Sequence, residues 1–340
     1  MTNKNTARRL VISSFLAASA AMLGLPLQAS AAETVLLNAS YDVTRELFKD
    51  INPAFVADYK KATGETVNVN QSHGGSSKQA RSVADGMEAA VVTMNQANDI
   101  DILVDRGVVT ADWAKKSPNG AAPFYSTVVY LVRKGNPKQI KNWDDLAKPG
   151  VQVIIPNPKT SGNGRYTYLA AWGAVIKKGG TEAQARDLVG KIFHNVPVLD
   201  AGGRGATTTF TQREIGDVLV TFENEVNLVR TEFGDKFDVV YPPVSILAES
   251  PVAVVDKVVD RRGLRKPATA YLNFLYTPAG QEIGAKHYLR VRNEAVMKKF
   301  AGNYKPITLF SVDELFGGWR NAQKVHFDDG GEFDKIYQAK

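Results

Sequence analysis

The sequence predicts an α/β protein of two lobes, with mostly parallel sheets flanked by helices and a cleft between the lobes. Three observations carry this. Short apolar runs alternate with amphipathic runs along the whole chain, the pattern of strands and covering helices. Four apolar runs end in a turn rich in glycine or hydroxyl residues that leads into a helix. Two long strands, at 126–133 and 245–255, fit crossings of the chain between lobes, and 340 residues suffice for roughly two domains.

Residues 1–31 read as a cleaved secretory signal peptide. Lys4, Arg8 and Arg9 make a positive start, 10–27 is apolar and rich in Ala and Ser, and Ala29-Ser30-Ala31 fits a small-residue cleavage site. Gly24 and Pro26 interrupt the run, which argues against a membrane anchor. No later stretch approaches the ~18 apolar residues of a membrane helix.

The elements follow in order. A strand at 35–40 runs into a helix from about Asp42 to Gly64, with Leu47, Ile51, Phe55 and Tyr59 spaced by four. An alternating strand at 67–71 precedes Ser72-His73-Gly74-Gly75-Ser76-Ser77-Lys78-Gln79, where Ser76 and Gln79 have capping-box spacing. Residues 90–94 and 126–133 read as buried strands. The strand at 151–156 meets Asn157-Pro158-Lys159-Thr160-Ser161-Gly162-Asn163-Gly164, with Ser161 as the expected N-cap of the next helix. A strand at 195–199 precedes Asp200-Ala201-Gly202-Gly203-Arg204-Gly205 and a helix expected over 207–213. A short strand at 217–222 leads into the Glu223 helix, and the chain beyond Pro267 is mostly helical. The lobes are placed at 32–127 with 249–340, and at 128–248.

Composition removes several function classes. The absence of cysteine excludes disulfides, thiolate metal sites and cysteine nucleophiles. The formal charge of +7 includes the three basic residues of the leader, so the mature chain carries about +4. Its basic residues are scattered, so nucleic acid is not an expected partner. Gly-x-x-x-x-Gly-Lys-Ser/Thr and Gly-x-Ser-x-Gly are both missing, and His73, His194, His287 and His326 are far apart in sequence. No cofactor, metal or catalytic group is expected, and the chain is read as a binding protein, not an enzyme.

In an open α/β sheet, ligands bind beyond the carboxyl ends of the strands. All four turns lie there. They offer backbone N–H groups, hydroxyls and the positive ends of helix dipoles, which suit a small anion held by neutral donors. Removing a divalent anion from water is costly, so several hydrogen bonds must form together. His73 reads as structural, Arg165 and Arg204 as salt-bridging, and Trp172 as core.

The residues resemble the periplasmic sulfate- and thiosulfate-binding proteins of ABC importers over essentially the whole mature chain. The resemblance rests on 38–47 (NASYDVTREL), 71–80 (QSHGGSSKQA), 131–138 (LVRKGNPK), 157–163 (NPKTSGN), 200–205 (DAGGRG) and 316–319 (FGGW). It implies a type II periplasmic binding protein fold that closes on a dehydrated sulfate or thiosulfate anion. The implied donors are the N–H groups of Asp42, Ser76, Gly162, Asn163 and Gly203 and the hydroxyl of Ser161, with the Asp42 carboxylate capping its own helix. It also implies a periplasmic location, a membrane ABC permease as partner and a monomer. Sulfate-binding members have tryptophan where this chain has Phe222, which cannot donate a hydrogen bond. That departure, with the wording around Ser161 and Gly203, points to the thiosulfate-binding branch. The alternatives are another tetrahedral oxyanion, molybdate or phosphate, and an esterase acting on sulfate or phosphate esters.

Overall fold

The computed structural model describes residues 34–338; the leader expected at 1–31 lies outside them. The early strands are β1 (Thr34–Tyr41), β2 (Val67–Gly74), β3 (Val91–Thr93), β4 (Phe124–Arg133), β5 (Val153–Pro156) and β6 (Leu199–Asp200). The later ones are β7 (Val218–Phe222), β8 (Phe237–Val240), β9 (Val244–Ser250), β10 (Val252–Val254), β11 (Arg290–Val291) and β12 (Thr308–Phe310).

They form two sheets. The smaller has the order β10-β3-β1-β2, with β1 parallel to both neighbours. The larger has the path β12-β9-β4-β7-β5-β6, with β8 and β11 also paired to β4. Here β5 runs parallel to β6 and β7, while β4 is antiparallel to every strand it touches. Parallel neighbours end at the same edge. The smaller sheet therefore brings the ends of β1, β2 and β3 together, and the larger those of β5, β6 and β7.

Apolar spacing explains the covering helices. Helix Arg45–Thr63 buries Leu47, Ile51, Phe55 and Tyr59 against the smaller sheet and stops at Gly64, whose φ of 73° suits a residue without Cβ. Helix Gly162–Lys177 buries nearly its whole circumference, including Tyr166, Tyr168, Leu169 and Trp172. It is enclosed by the larger sheet and by the segment from 308 onward, whose Phe310, Phe316, Phe327 and Phe333 enter the same core. Among the described residues, no helix is long and apolar enough to cross a membrane.

Four local expectations are corrected. The helix expected at 207–213 is Gly203–Thr211: extended Gly202 (φ −161°, ψ 169°) caps it, and the Thr207 and Thr211 hydroxyls bond carbonyls one turn back. The strand expected at 195–199 shrinks to β6, because the Asn195 N–H bonds back to Lys191 and Ile192 and ends the Glu182–His194 helix. Ser76 and Gln79 form no capping box. Gly75 is the cap, and Gln79 Nε2 bonds Ser72 Oγ at 3.0 Å instead. Finally, the single strand at 245–255 is β9 and β10, broken at Pro251 and belonging to different sheets.

Candidate functional site: a cleft between two sheet edges

Every turn singled out in the sequence opens at one of the two convergent edges. Asp42 follows β1 as the first residue of a short 3-10 turn. Ser76 follows β2 as the first residue of helix Ser76–Ala84. Ser161 caps helix Gly162–Lys177, with Gly162 and Asn163 as its first two residues. Gly203 starts helix Gly203–Thr211, and Phe222 closes β7 before helix Glu223–Phe233.

The two edges touch. A Cβ placed on Gly75 would lie 3.2 Å from the Thr160 carbonyl oxygen. One on Gly202 would lie 3.1 Å from Asp42 Oδ2, and one on Gly203 would lie 3.3 Å from Asn163 Nδ2 and 3.4 Å from Val43 Cγ1. Asp42, Ser76, Ser161, Gly162, Asn163 and Gly203 thus gather where the two edges meet. A side chain at 75, 202 or 203 would crowd these contacts.

The donors follow from helix geometry. A helix leaves its first amides without intrahelical acceptors. The first helical bonds come from Gln79, Arg165 and Ala206 in three of the helices that start there. The amides of Ser76, Gly162, Asn163 and Gly203 precede them. None of these three helices has an acidic residue in its first turn. Helices Glu182–His194 and Glu223–Phe233 do, so their own carboxylates complement their dipoles. In the latter, Glu223 is also paired to Arg290 by two bonds of 2.7 and 2.9 Å.

Side chains hold the frame. Ser161 Oγ accepts from the Gly164 N–H at 3.4 Å as the N-cap. Asn163 Nδ2 donates to Thr221 Oγ1 at 2.6 Å, joining the start of this helix to β7. Phe222 is buried edge-to-face on Tyr166, centroids 5.8 Å apart, and Tyr166 packs likewise on Trp319 at 4.9 Å. The Phe222 ring itself offers no hydrogen-bond donor.

The charged neighbours sit behind this frame. Arg165 Nε is spent on the Pro158 carbonyl at 2.9 Å, and Arg204 pairs with Glu46 across the cleft at 3.1 Å. Trp172 is core and donates to Glu182. Burial lowers the His73 pKa, with Arg45 adding to the effect, so the ring is kept neutral. The Asp42 carboxylate takes backbone hydrogen bonds from its own turn, at Asp42 and Val43, and from Arg204. It lies against Gly202, drawn to the positive end of helix Gly203–Thr211. Burial raises its pKa against the pull of the Arg204 guanidinium and of nearby backbone amides.

Two residues escaped the sequence reading. Asn95, after β3, lies against Gly162. Met94-Asn95-Gln96 is a fifth strand-to-helix turn at the same edge, and the signal was its place after the strand at 90–94; it lacks the glycine that marked the others. Glu225 is buried with Oε1 accepting from Thr207 at 3.0 Å and Oε2 unpartnered. Burial pushes its pKa up to about 7, opposed by Arg204 and reinforced by Asp42 and Glu46. Glu-Asn-Glu at a helix start reads as a solvated turn, so nothing in the sequence betrayed it.

Residues 36–290 match the family described as bacterial extracellular solute-binding protein. A thiosulfate-binding protein of Pseudomonas aeruginosa is 57% identical over 97% of this chain and 99% of its own. A sulfate-binding protein of Escherichia coli is 54% identical over 88% of this chain and 92% of its own. Among solved structures, the sulfate-binding protein SubI of Mycobacterium tuberculosis superposes with a TM-score of 0.79 at 34% identity, covering 87% of this chain and all of that one. A periplasmic thiamin-binding protein shares the fold alone, with a TM-score of 0.64 at 16% identity. The chain belongs to the bacterial extracellular solute-binding protein family.

Proposed function

We propose that this chain captures thiosulfate or sulfate in the cleft and delivers it, in the periplasm, to a membrane ABC permease. The observation that carries the reading is the convergence of helix N-termini without acidic first turns from two sheets, beside the Ser161 hydroxyl. Such a cleft offers an anion many neutral donors and no counter-cation of its own. The names of the thiosulfate- and sulfate-binding relatives supply the class of anion. The Asp42, Ser76, Gly162, Asn163 and Gly203 amides and the Ser161 hydroxyl are the assigned donors.

Capture works by closure. The moving bodies are assigned as 32–127 with 249–307, against 128–248 with the segment from 308 onward. That last segment is placed with the second body because its phenylalanines pack in the larger-sheet core. Titration calorimetry with thiosulfate, sulfate, phosphate and molybdate tests the reading. Binding of a sulfur oxyanion in preference to the other two is expected, and no binding of any of the four overturns it.

Thiosulfate is expected to bind at least as tightly as sulfate. The apolar Phe222 edge suits a large, weakly hydrogen-bonding terminal sulfur better than a fourth oxygen left without a donor. Phe222→Trp restores an indole N–H and should shift the ratio of the two affinities toward sulfate; an unchanged ratio would refute this role.

A further inference from the structure

Asn95 lies in the turn after β3, two residues before helix Ala97–Asp105 begins. Its backbone N–H donates to Ser76 Oγ at 3.2 Å, which ties the turn to the start of helix Ser76–Ala84. Its side chain reaches the other way. A Cβ on Gly162 would meet Asn95 Oδ1 at 2.0 Å, Cγ at 2.6 Å and Nδ2 at 2.7 Å. The carboxamide therefore lies flat on the Gly162 α-carbon. One residue touches a donor turn from each sheet.

The carboxamide has no internal reason to be there. Asn95 is only 6% exposed, yet Oδ1 is buried without a partner. Nδ2 likewise has no protein acceptor among the described residues. Buried side-chain amides are nearly always satisfied, and one that is not points to a partner from outside the chain. A half-turn about the Cβ–Cγ bond presents either end of the amide to the same spot. Ser76 and Gly162 both offer backbone amides beside it, so the partner is one that accepts hydrogen bonds.

We infer that Asn95 is a further ligand-contacting residue, its carboxamide Nδ2–H donating to an oxygen of the oxyanion held between the Ser76 and Gly162 amides. This rests on the cleft reading above. It gives the site a second side-chain donor besides Ser161, on the opposite sheet. It also explains why position 162 carries no side chain: a methyl group there would displace the amide from the cleft.

The test compares wild type, Asn95→Ala and Asn95→Asp by calorimetry with thiosulfate and sulfate, and by melting without ligand. Asn95→Asp keeps the size and shape of the side chain but sets a carboxylate against the anion. It should melt as wild type does and bind both anions at least about a hundredfold more weakly. Asn95→Ala should lose about tenfold, the effect of deleting one donor to a charged acceptor. A mere packing role predicts the reverse order, with the isosteric aspartate nearly harmless. If Asn95→Ala binds within threefold of wild type, or Asn95→Asp binds no more weakly than Asn95→Ala, the assignment of Asn95 is overturned while the cleft stands. Wild-type protein that binds neither anion overturns the cleft reading and the assignment together.

Discussion

Glu225 and His326 are both kept neutral by burial, and they bias stability in opposite directions. Burial lifts the Glu225 carboxyl from 4.5 to about 7, with Arg204 opposing and Asp42 and Glu46 adding to the rise. Its contribution is complete below the unfolded value and is lost as pH rises from about 4.5 to about 7. His326, bonded to the Tyr168 hydroxyl at 3.1 Å, is pushed down from 6.5 to about 4 by burial, with Glu332 opposing and Arg186 adding. The unfolded state takes up that proton first, so the His326 contribution is lost as pH falls from about 6.5 to about 4. Each shift is worth on the order of 3 kcal/mol, and the two nearly cancel between pH 4.5 and 6.5. In urea unfolding of ligand-free wild type, these two groups should therefore add almost no net slope across that window. Glu225→Gln should uncover a stability that rises with pH, and His326→Phe one that falls; slopes equal to wild type would contradict both. Neither residue could be placed from the sequence, because burial of a lone ionisable group is decided by distant elements. Ser161 could be placed, because an N-cap after a strand is a local feature.

Arg204 and Glu46 join the helix Gly203–Thr211 to the helix Arg45–Thr63, which covers the other sheet. The pair tests whether element-to-element contacts across the cleft contribute to closure. Its side chains are 40% and 38% exposed, so the bridge is worth at most about 1 kcal/mol. Arg204→Ala should weaken anion binding by no more than about fivefold, with the difference shrinking at high salt. A loss of a hundredfold in calorimetry would instead mean direct contact with the anion. At this scale the sequence was partly legible. Strand-then-turn order located the helices that follow the Asp42, Ser76, Ser161 and Gly203 turns and missed the one that follows Asn95. It misplaced the start of the Gly203 helix, because Gly203-Arg204-Gly205 reads as part of the turn. The Thr207 and Thr211 hydroxyls then bond helix carbonyls one turn back, which no propensity records. The capping-box spacing at Ser76 and Gln79 misled for the opposite reason: Gln79 found a better partner in Ser72.

At the scale of the whole molecule, an anion that joins two sheet edges should stabilise the chain as a unit. Ligand at a hundred times its dissociation constant adds about 2.7 kcal/mol, a rise in melting temperature of roughly 5 °C for a chain this size. A calorimetric scan with thiosulfate should show that rise in one transition, and an unmoved transition at saturation would contradict the cleft's role. Two sheets and a crossing were legible because alternation and long strands are patterns along the chain. The return of the segment from 308 to the larger sheet was not, since β12 is three residues long and pairs with β9 more than sixty positions away. The crossing itself has a mechanical consequence. Pro251, between β9 and β10, accepts from the Met94 N–H at 2.9 Å, one residue before Asn95. The joint is thus a lever whose short arm ends in the cleft. In the closure proposed above, a swing of the larger sheet about that joint would reach the end of β3 through this bond, joining opening and loss of grip in one coordinate. A pair of fluorophores spanning the joint would then report occupancy as an angle.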